Sequence, residues 1–203
     1  MKLSKVTMIL RGYSYEQVKS VAEVLLDSRY VRNMEITLNT EDAYEIIQKI
    51  AEEFQGKLNI GAGTVQTYEE LLKAVDAGAK FVLSPRTMTE EMISYCSQNN
   101  IISVPGAFTA SEIADQLEKG ADIVKVFPAN EVSLSYAKKL CEPMGNLPLM
   151  AVGGINRENV KEAFEMGYEY VGTAGGLFQK KDILALDKGK LKESLKQFEA
   201  MLD

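Results

Sequence analysis

Helix-ending residues recur at nearly even intervals along this chain. Gly56, Gly78, Asn100, Gly120, Gly145 and Gly167 each follow a helix-like segment and precede an apolar stretch, at spacings of 22, 22, 20, 25 and 22. Glycine and asparagine suit that place because they tolerate left-handed backbone just past a helix. The opposite boundary is marked as well. Ser14 with Gln17, Thr67 with Glu70, Thr87 with Glu90 and Thr109 with Glu112 have the spacing of a capping box. A repeat of this length, holding one strand and one helix, is a βα unit. Eight strands are expected, at Val6–Arg11, Met34–Leu38, Leu58–Gly63, Phe81–Ser84, Ile101–Val104, Ile123–Phe127, Leu147–Val152 and Tyr168–Thr173. Helical patterns at Tyr15–Leu26, Glu41–Phe54 and Tyr68–Ala77 separate them, and Leu191, Leu195, Phe198 and Leu202 form a last helical stripe. Eight even units predict a closed (β/α)8 TIM barrel of the α/β class, one domain over residues 1–203. The alternative is an open doubly wound sheet, which also alternates strand and helix.

Composition narrows what such a barrel can do. The net charge of −6 argues against nucleic acid or an anionic membrane surface as the main partner. No apolar run reaches the ~18 residues of a membrane span. The start, Met1-Lys2-Leu3-Ser4, lacks the apolar region of a signal peptide, and Cys96 and Cys141 lie in helix-like segments. Both features predict reduced thiols and a cytoplasmic location. The chain has no histidine. Ser-His-Asp and Cys-His catalysis are excluded, as are zinc sites that use histidine. Proton transfer falls to Glu, Asp, Lys, Tyr, Cys or water.

In a barrel of this kind the active groups gather at the C-terminal ends of the strands. The run Ile123-Val124-Lys125-Val126-Phe127-Pro128 places a lysine inside a buried strand. Strand alternation puts Ile123, Lys125 and Phe127 on one face. A buried ammonium must be paired, reach solvent at the strand end, or lose its proton. The last state is an amine nucleophile able to form a Schiff base. Glu35 shares parity with Thr37 and Asn39, which points it into the barrel as a proton carrier or as half of an ion pair. Gly61-Ala62-Gly63-Thr64 is either a phosphate-cradling turn or only a tight one. Gly153-Gly154-Ile155-Asn156 and Gly172 to Gly176 follow strands seven and eight, where such barrels hold phosphate. Asn156 is placed to cap a helix beginning near Arg157. Arg11 is either an anion contact or a rim charge, and Arg86 reads as a solvated loop residue.

Together these stretches resemble a known family, the class I aldolases that split 2-keto-3-deoxy-6-phosphogluconate or its galactonate epimer. The resemblance rests on Ile9-Leu10-Arg11-Gly12, Glu35-Ile36-Thr37-Leu38, Gly61-Ala62-Gly63-Thr64-Val65, Ser84-Pro85, Pro105-Gly106 with Thr109 and Glu112, Val124 to Ala129, and Gly153-Gly154-Ile155, in order along nearly the whole chain. It implies a homotrimeric barrel that needs neither metal nor cofactor. It implies that Lys125 forms the Schiff base and that Glu35 is the general acid/base. Arg11 and Thr64 would contact the keto-acid end, Pro85 and Phe127 would border it, and Gly153, Gly154 and Gly175 would hold the phosphate. The implied reaction releases pyruvate and glyceraldehyde 3-phosphate from a phosphorylated keto acid. Asn39 and Val152 resemble the galactonate branch, where the gluconate branch carries arginine and threonine. Gly175 stands where the family usually has serine, and Asn130 where it has glutamate. The rival readings are aldol cleavage of a non-phosphorylated acid such as 4-hydroxy-2-oxoglutarate, a barrel that binds sugar phosphates without turning them over, and a phosphate-binding synthase or isomerase.

Overall fold

Pro105 decides how the sheet of this protein is drawn. A computed structural model describes residues 2–203. Its strands are β1 (Val6–Leu10), β2 (Val31–Thr37), β3 (Asn59–Gly63), β4 (Phe81–Leu83), β5 (Ile102–Val104), β6 (Gly106–Ala107), β7 (Val124–Val126), β8 (Leu149–Val152) and β9 (Tyr170–Thr173). All neighbours pair parallel, in the order β5-β4-β3-β2-β1-β9-β8-β7-β6. The fifth expected strand, Ile101–Val104, corresponds to β5, and a short further piece, β6, continues the same strand position past Pro105. Proline has no N–H to give the ladder, so the pairing breaks at Pro105. Its carbonyl still accepts from Lys125 N at 2.8 Å, and Ser103 O accepts from Ile123 N at 3.2 Å. Those bonds join the two ends of the sheet. The result is a barrel of eight strand positions, and the open-sheet alternative is excluded.

Helices alternate with the strands: α1 (Tyr15–Leu25), α2 (Ala43–Glu53), α3 (Tyr68–Asp76), α4 (Glu90–Gln98), α5 (Ala110–Glu118), α6 (Tyr136–Met144), α7 (Val160–Glu165), α8 (Lys180–Leu184) and α9 (Lys188–Glu199). Three capping boxes form as expected. Thr67 Oγ1 accepts from Glu70 N at 3.1 Å, Thr109 Oγ1 from Glu112 N at 3.3 Å, and Gln17 Oε1 from Ser14 N at 3.0 Å. The fourth differs: α4 is capped by Thr89, whose hydroxyl accepts from Met92 N at 3.2 Å, and not by Thr87. Likewise α7 starts at Val160, not near Arg157, because residues 156–159 form a turn first. None of the described helices is long and apolar enough to cross a membrane.

Strand alternation sorts the side chains into two layers. Val6, Met8, Leu10, Val124 and Val126 face outward into the apolar layer shared with the helices. Ile9, Phe81, Leu83, Val104, Ile123, Met150 and Val152 face inward and fill the barrel. Fully burying a side chain such as Phe81 is worth about 1.5–3 kcal/mol. Its ring lies over Gly61, where a Cβ would meet it at 2.5 Å. Near the bottom, Asn33 Nδ2 donates to Ser4 O at 2.9 Å and to Thr7 Oγ1 at 3.1 Å, and Asn59 Nδ2 donates to Asn33 Oδ1 at 2.9 Å. This polar layer is internally satisfied, so the charged groups above it stand alone.

Candidate active site

Lys125 sits in β7, opposite Gly106 on one side and Met150 on the other. It is 5% exposed. Its Nζ lies 4.9 Å from the centroid of the Phe127 ring, two residues on along the same face. Among the described residues it makes no ion pair. Burial holds its pKa below the ordinary lysine value of 10.5. Glu35 partly offsets that effect, and the charge of Arg11 reinforces it. Phenylalanine offers a cation only its ring face, which does not replace water. Of the three states open to a mid-strand lysine, pairing is absent among the described residues and solvent contact nearly so, and burial shifts the amine toward the third.

Glu35 is in β2, beside Ile9 of β1 and Gly61 of β3. It is 3% exposed, and its Oε2 is buried with no hydrogen-bond partner. Burial raises its pKa above the usual 4.5, against the pull of Lys125 and Arg11. The carboxyl lies on Gly63, where any Cβ would collide with Oε1 and Cδ. Gly61 and Gly63 thus lie within a strand and not in a phosphate-holding turn. Their missing side chains make room for Phe81 and for Glu35. Amine and carboxyl are each destabilised in their charged forms, and they lie farther apart than an ion pair. Such a couple is suited to proton traffic during carbonyl chemistry.

Above the couple opens a pocket of about 740 Å³ at the C-terminal mouth of the barrel. Ile9, Phe127 and Val152 form its floor, and Arg11, Gly153, Gly154 and Gly175 also line it. Lys125 and Glu35 lie beneath this lining. Thr64, at left-handed φ 62° just past β3, and Pro85, packed against Gly106, stand outside it. Arg86 is exposed and donates to Gln66 O at 2.8 Å, as a loop arginine should.

The glycine turns after β8 and β9 face each other across the pocket wall. Gly153 and Gly154 have φ of 113° and 71°, conformations that favour glycine. A Cβ on either would strike Asn130, at 2.7 and 2.8 Å. Thr173 Oγ1 donates to Ile155 O at 2.6 Å and ties the two turns together. The amides of Gly154, Ile155, Ala174, Gly175 and Gly176 donate to no backbone carbonyl among the described residues. Backbone amides left without a carbonyl partner are groups that can serve an anion. Asn156 does not cap α7: its Oδ1 accepts from Glu158 N at 2.8 Å within the preceding turn. Sequence reasoning missed the outer wall, formed by Arg157, Gln179, Ser194 and Gln197. Ser194 and Gln197 are three apart on α9, hence on one helix face, but nothing local ties that face to a distant pocket. Among the described residues there is no cluster of three His, Cys, Asp or Glu side chains placed to hold a metal.

A (β/α)8 barrel with an unpaired buried amine and a protonatable carboxyl under a polar mouth has the build of a barrel aldolase, an aldehyde-lyase. The chain belongs to the KDPG and KHG aldolase family, whose model matches residues 1–193. It is 27% identical over 172 residues to the probable 2-dehydro-3-deoxy-6-phosphogalactonate aldolase of Rhizobium meliloti, covering 84% of this chain and 80% of that protein. It is 35% identical over 133 residues to the 2-dehydro-3-deoxy-phosphogluconate aldolase of Treponema pallidum, covering 65% of this chain and 62% of that protein. The solved KDPG aldolase of Legionella pneumophila, with pyruvate captured as a covalent carbinolamine, superposes with a TM-score of 0.84 at 26% identity, covering 95% of this chain and 92% of that one.

Proposed function

We propose that this protein cleaves a 2-keto-3-deoxy-6-phospho sugar acid to pyruvate and glyceraldehyde 3-phosphate through a Schiff base on Lys125. The observation that carries the reading is the unpaired, desolvated Lys125 amine sharing the barrel interior with the protonatable Glu35. The Lys125 amine adds to the C2 carbonyl, and the carbinolamine loses water to an iminium. Glu35, through water, takes the C4 hydroxyl proton. The C3–C4 bonding pair moves into the iminium, the aldehyde leaves, and an enamine remains. Protonation at C3 and hydrolysis then release pyruvate and restore the amine. The iminium supplies the electron sink, so the cycle calls for neither metal nor cofactor. Arg11 receives the carboxylate end, Phe127 walls the reacting carbons, and the free amides around Gly153, Gly154 and Gly175 receive the phosphate. Thr64 and Pro85, which follow β3 and β4 at the same end of the barrel, are carried over from the resemblance as neighbours of the keto-acid end.

A non-phosphorylated 4-hydroxy-2-oxo acid is the second reading. It is favoured by Gly175, which offers an amide but no hydroxyl. We also carry over from the family a homotrimer and a cytoplasmic location, with residues 1–203 acting as one domain.

Incubation with pyruvate and borohydride tests the central step. The expected result is a reduced pyruvate adduct on Lys125, found by peptide mass spectrometry, with loss of activity. Labelling of another lysine, or none, removes the Schiff-base reading.

A further inference from the structure

The outer wall of the pocket has no part in the reading above, yet it is polar and internally braced. Arg11 and Arg157 are the two cations of the lining, and Glu158 is its one acid. The Arg157 Nη1 donates to Gln197 Oε1 on α9 at 2.8 Å, and Gln197 Nε2 donates to Glu193 Oε1 at 3.2 Å. Glu158 meets only Nε of Arg157, at 3.4 Å. Among the described residues Nη2 has no acceptor. The side chain is 56% exposed and paired at Nε with Glu158, yet the bond to Gln197 points it along the outer wall and leaves Nη2 to donate. The same pocket holds the free amides of the two glycine turns, and at Gly175 it lacks a side-chain donor. A phosphate has three terminal oxygens and can accept from amides and a guanidinium together.

We infer that Arg157, positioned by Gln197, is a specificity-determining residue that binds the substrate's distal phosphate. This rests on the proposed cleavage of a phosphorylated acid. It assigns the discrimination between phosphorylated and plain substrates to the outer wall as well as to the glycine turns.

The test compares wild type, R157Q, R157K and Q197A for kcat and KM with 2-keto-3-deoxy-6-phosphogluconate and with 2-keto-3-deoxygluconate, which lacks the phosphate. Inorganic phosphate serves as a competitive probe. R157Q is expected to raise KM for the phosphorylated acid about tenfold, the low end for losing a hydrogen bond to a charged group. Its kcat should stay within about twofold, as expected when uniform binding is lost. The inhibition constant of inorganic phosphate should rise in parallel, while KM for the plain acid stays put. R157K should recover part of the loss, and added salt should shrink the wild-type advantage. An equal rise for both acids, or an unchanged KM and phosphate inhibition, overturns the assignment of Arg157. An unchanged KM in Q197A overturns the bracing role of Gln197. If wild type itself takes the plain acid as well as the phosphorylated one, the proposed function fails and this inference with it. If wild type prefers phosphate and R157Q matches it, only the inference fails.

Discussion

Lys125 lowers the stability of the fold that holds it, and the pH sign follows from its environment. Its folded pKa lies below 10.5, so between those values the unfolded chain binds the extra proton and stability rises with pH. Below the folded value the full penalty of a buried ammonium is carried. Glu35 runs the other way. Its folded pKa lies above 4.5, so its contribution is whole below 4.5 and is lost as pH rises through the folded value. Lys125→Met conserves volume and removes the ammonium. Losing the ammonium removes one of the two charges that pull the Glu35 pKa down, so burial pushes that carboxyl further toward its neutral form. The variant should therefore melt at or above wild type at neutral pH, because a desolvated ammonium is removed and no ion pair is broken. The gap should close as pH approaches 10.5. Melting curves from pH 6 to 10 check this, and a variant clearly less stable than wild type would show that the lysine is not a cost. Activity moves with the same proton: turnover should rise with pH through the lowered lysine pKa, because only the free amine attacks a carbonyl.

The pairing of β2 with β3 is what holds the carboxyl in place. Gly63 is not at positive φ, so alanine there is allowed by the backbone but not by Glu35. Gly63→Ala should push the carboxyl out of its seat. We expect pyruvate adduct formation on Lys125 to persist while cleavage falls by about 10²–10⁴-fold, the range for a lost general base. Overpacking should cost about 1–3 kcal/mol of stability. Single-turnover trapping beside steady-state cleavage separates the two effects, and parallel loss of both would point to a collapsed site. This element shows where sequence reading succeeded and where it stopped. Alternation put Ile123, Lys125 and Phe127 on one face, and with the apolar parity of β2 packed on the helices it turned Glu35 inward, because a period of two follows from the strand backbone. The reason for Gly61 and Gly63 was not legible, since it depends on Phe81 and Glu35 arriving from neighbouring strands. The spacing of Thr87 and Glu90 pointed to the wrong cap for α4, whose first turn is held by the Thr89 hydroxyl instead. Arg157 and α9 converge on the mouth through tertiary structure, so no local signal joins them.

The count of eight even units favoured a closed barrel over an open sheet without excluding the latter. The bonds that close it, from Ile123 and Lys125 to the Ser103 and Pro105 carbonyls, were not legible. Closure also sets what substrate selectivity the whole molecule can reach. Contacts come from strand ends, turns and the α9 face around one mouth, and two of those strand ends depart from the gluconate branch. Val152 is buried and lines the pocket, while Asn39 stands exposed beyond β2. An apolar Val152 cannot replace the hydroxyl of a threonine, so a substrate hydroxyl that needs that partner loses one neutral hydrogen bond. That is worth about 0.5–1.5 kcal/mol, or roughly a 2- to 13-fold preference. Discrimination between the epimers should therefore be weak and lean to galactonate. Phosphate should matter more, because several amides and a guanidinium surround its expected position and charged hydrogen bonds are roughly twice as strong as neutral ones. The check is kcat/KM for both phosphorylated epimers and for 4-hydroxy-2-oxoglutarate, with one preparation under one set of conditions. A gluconate preference beyond about a hundredfold would defeat the argument from Val152, since one missing hydrogen bond cannot produce it. A preference for 4-hydroxy-2-oxoglutarate would move the chain to the non-phosphorylated side of its family and leave the amides of the glycine turns without their ligand.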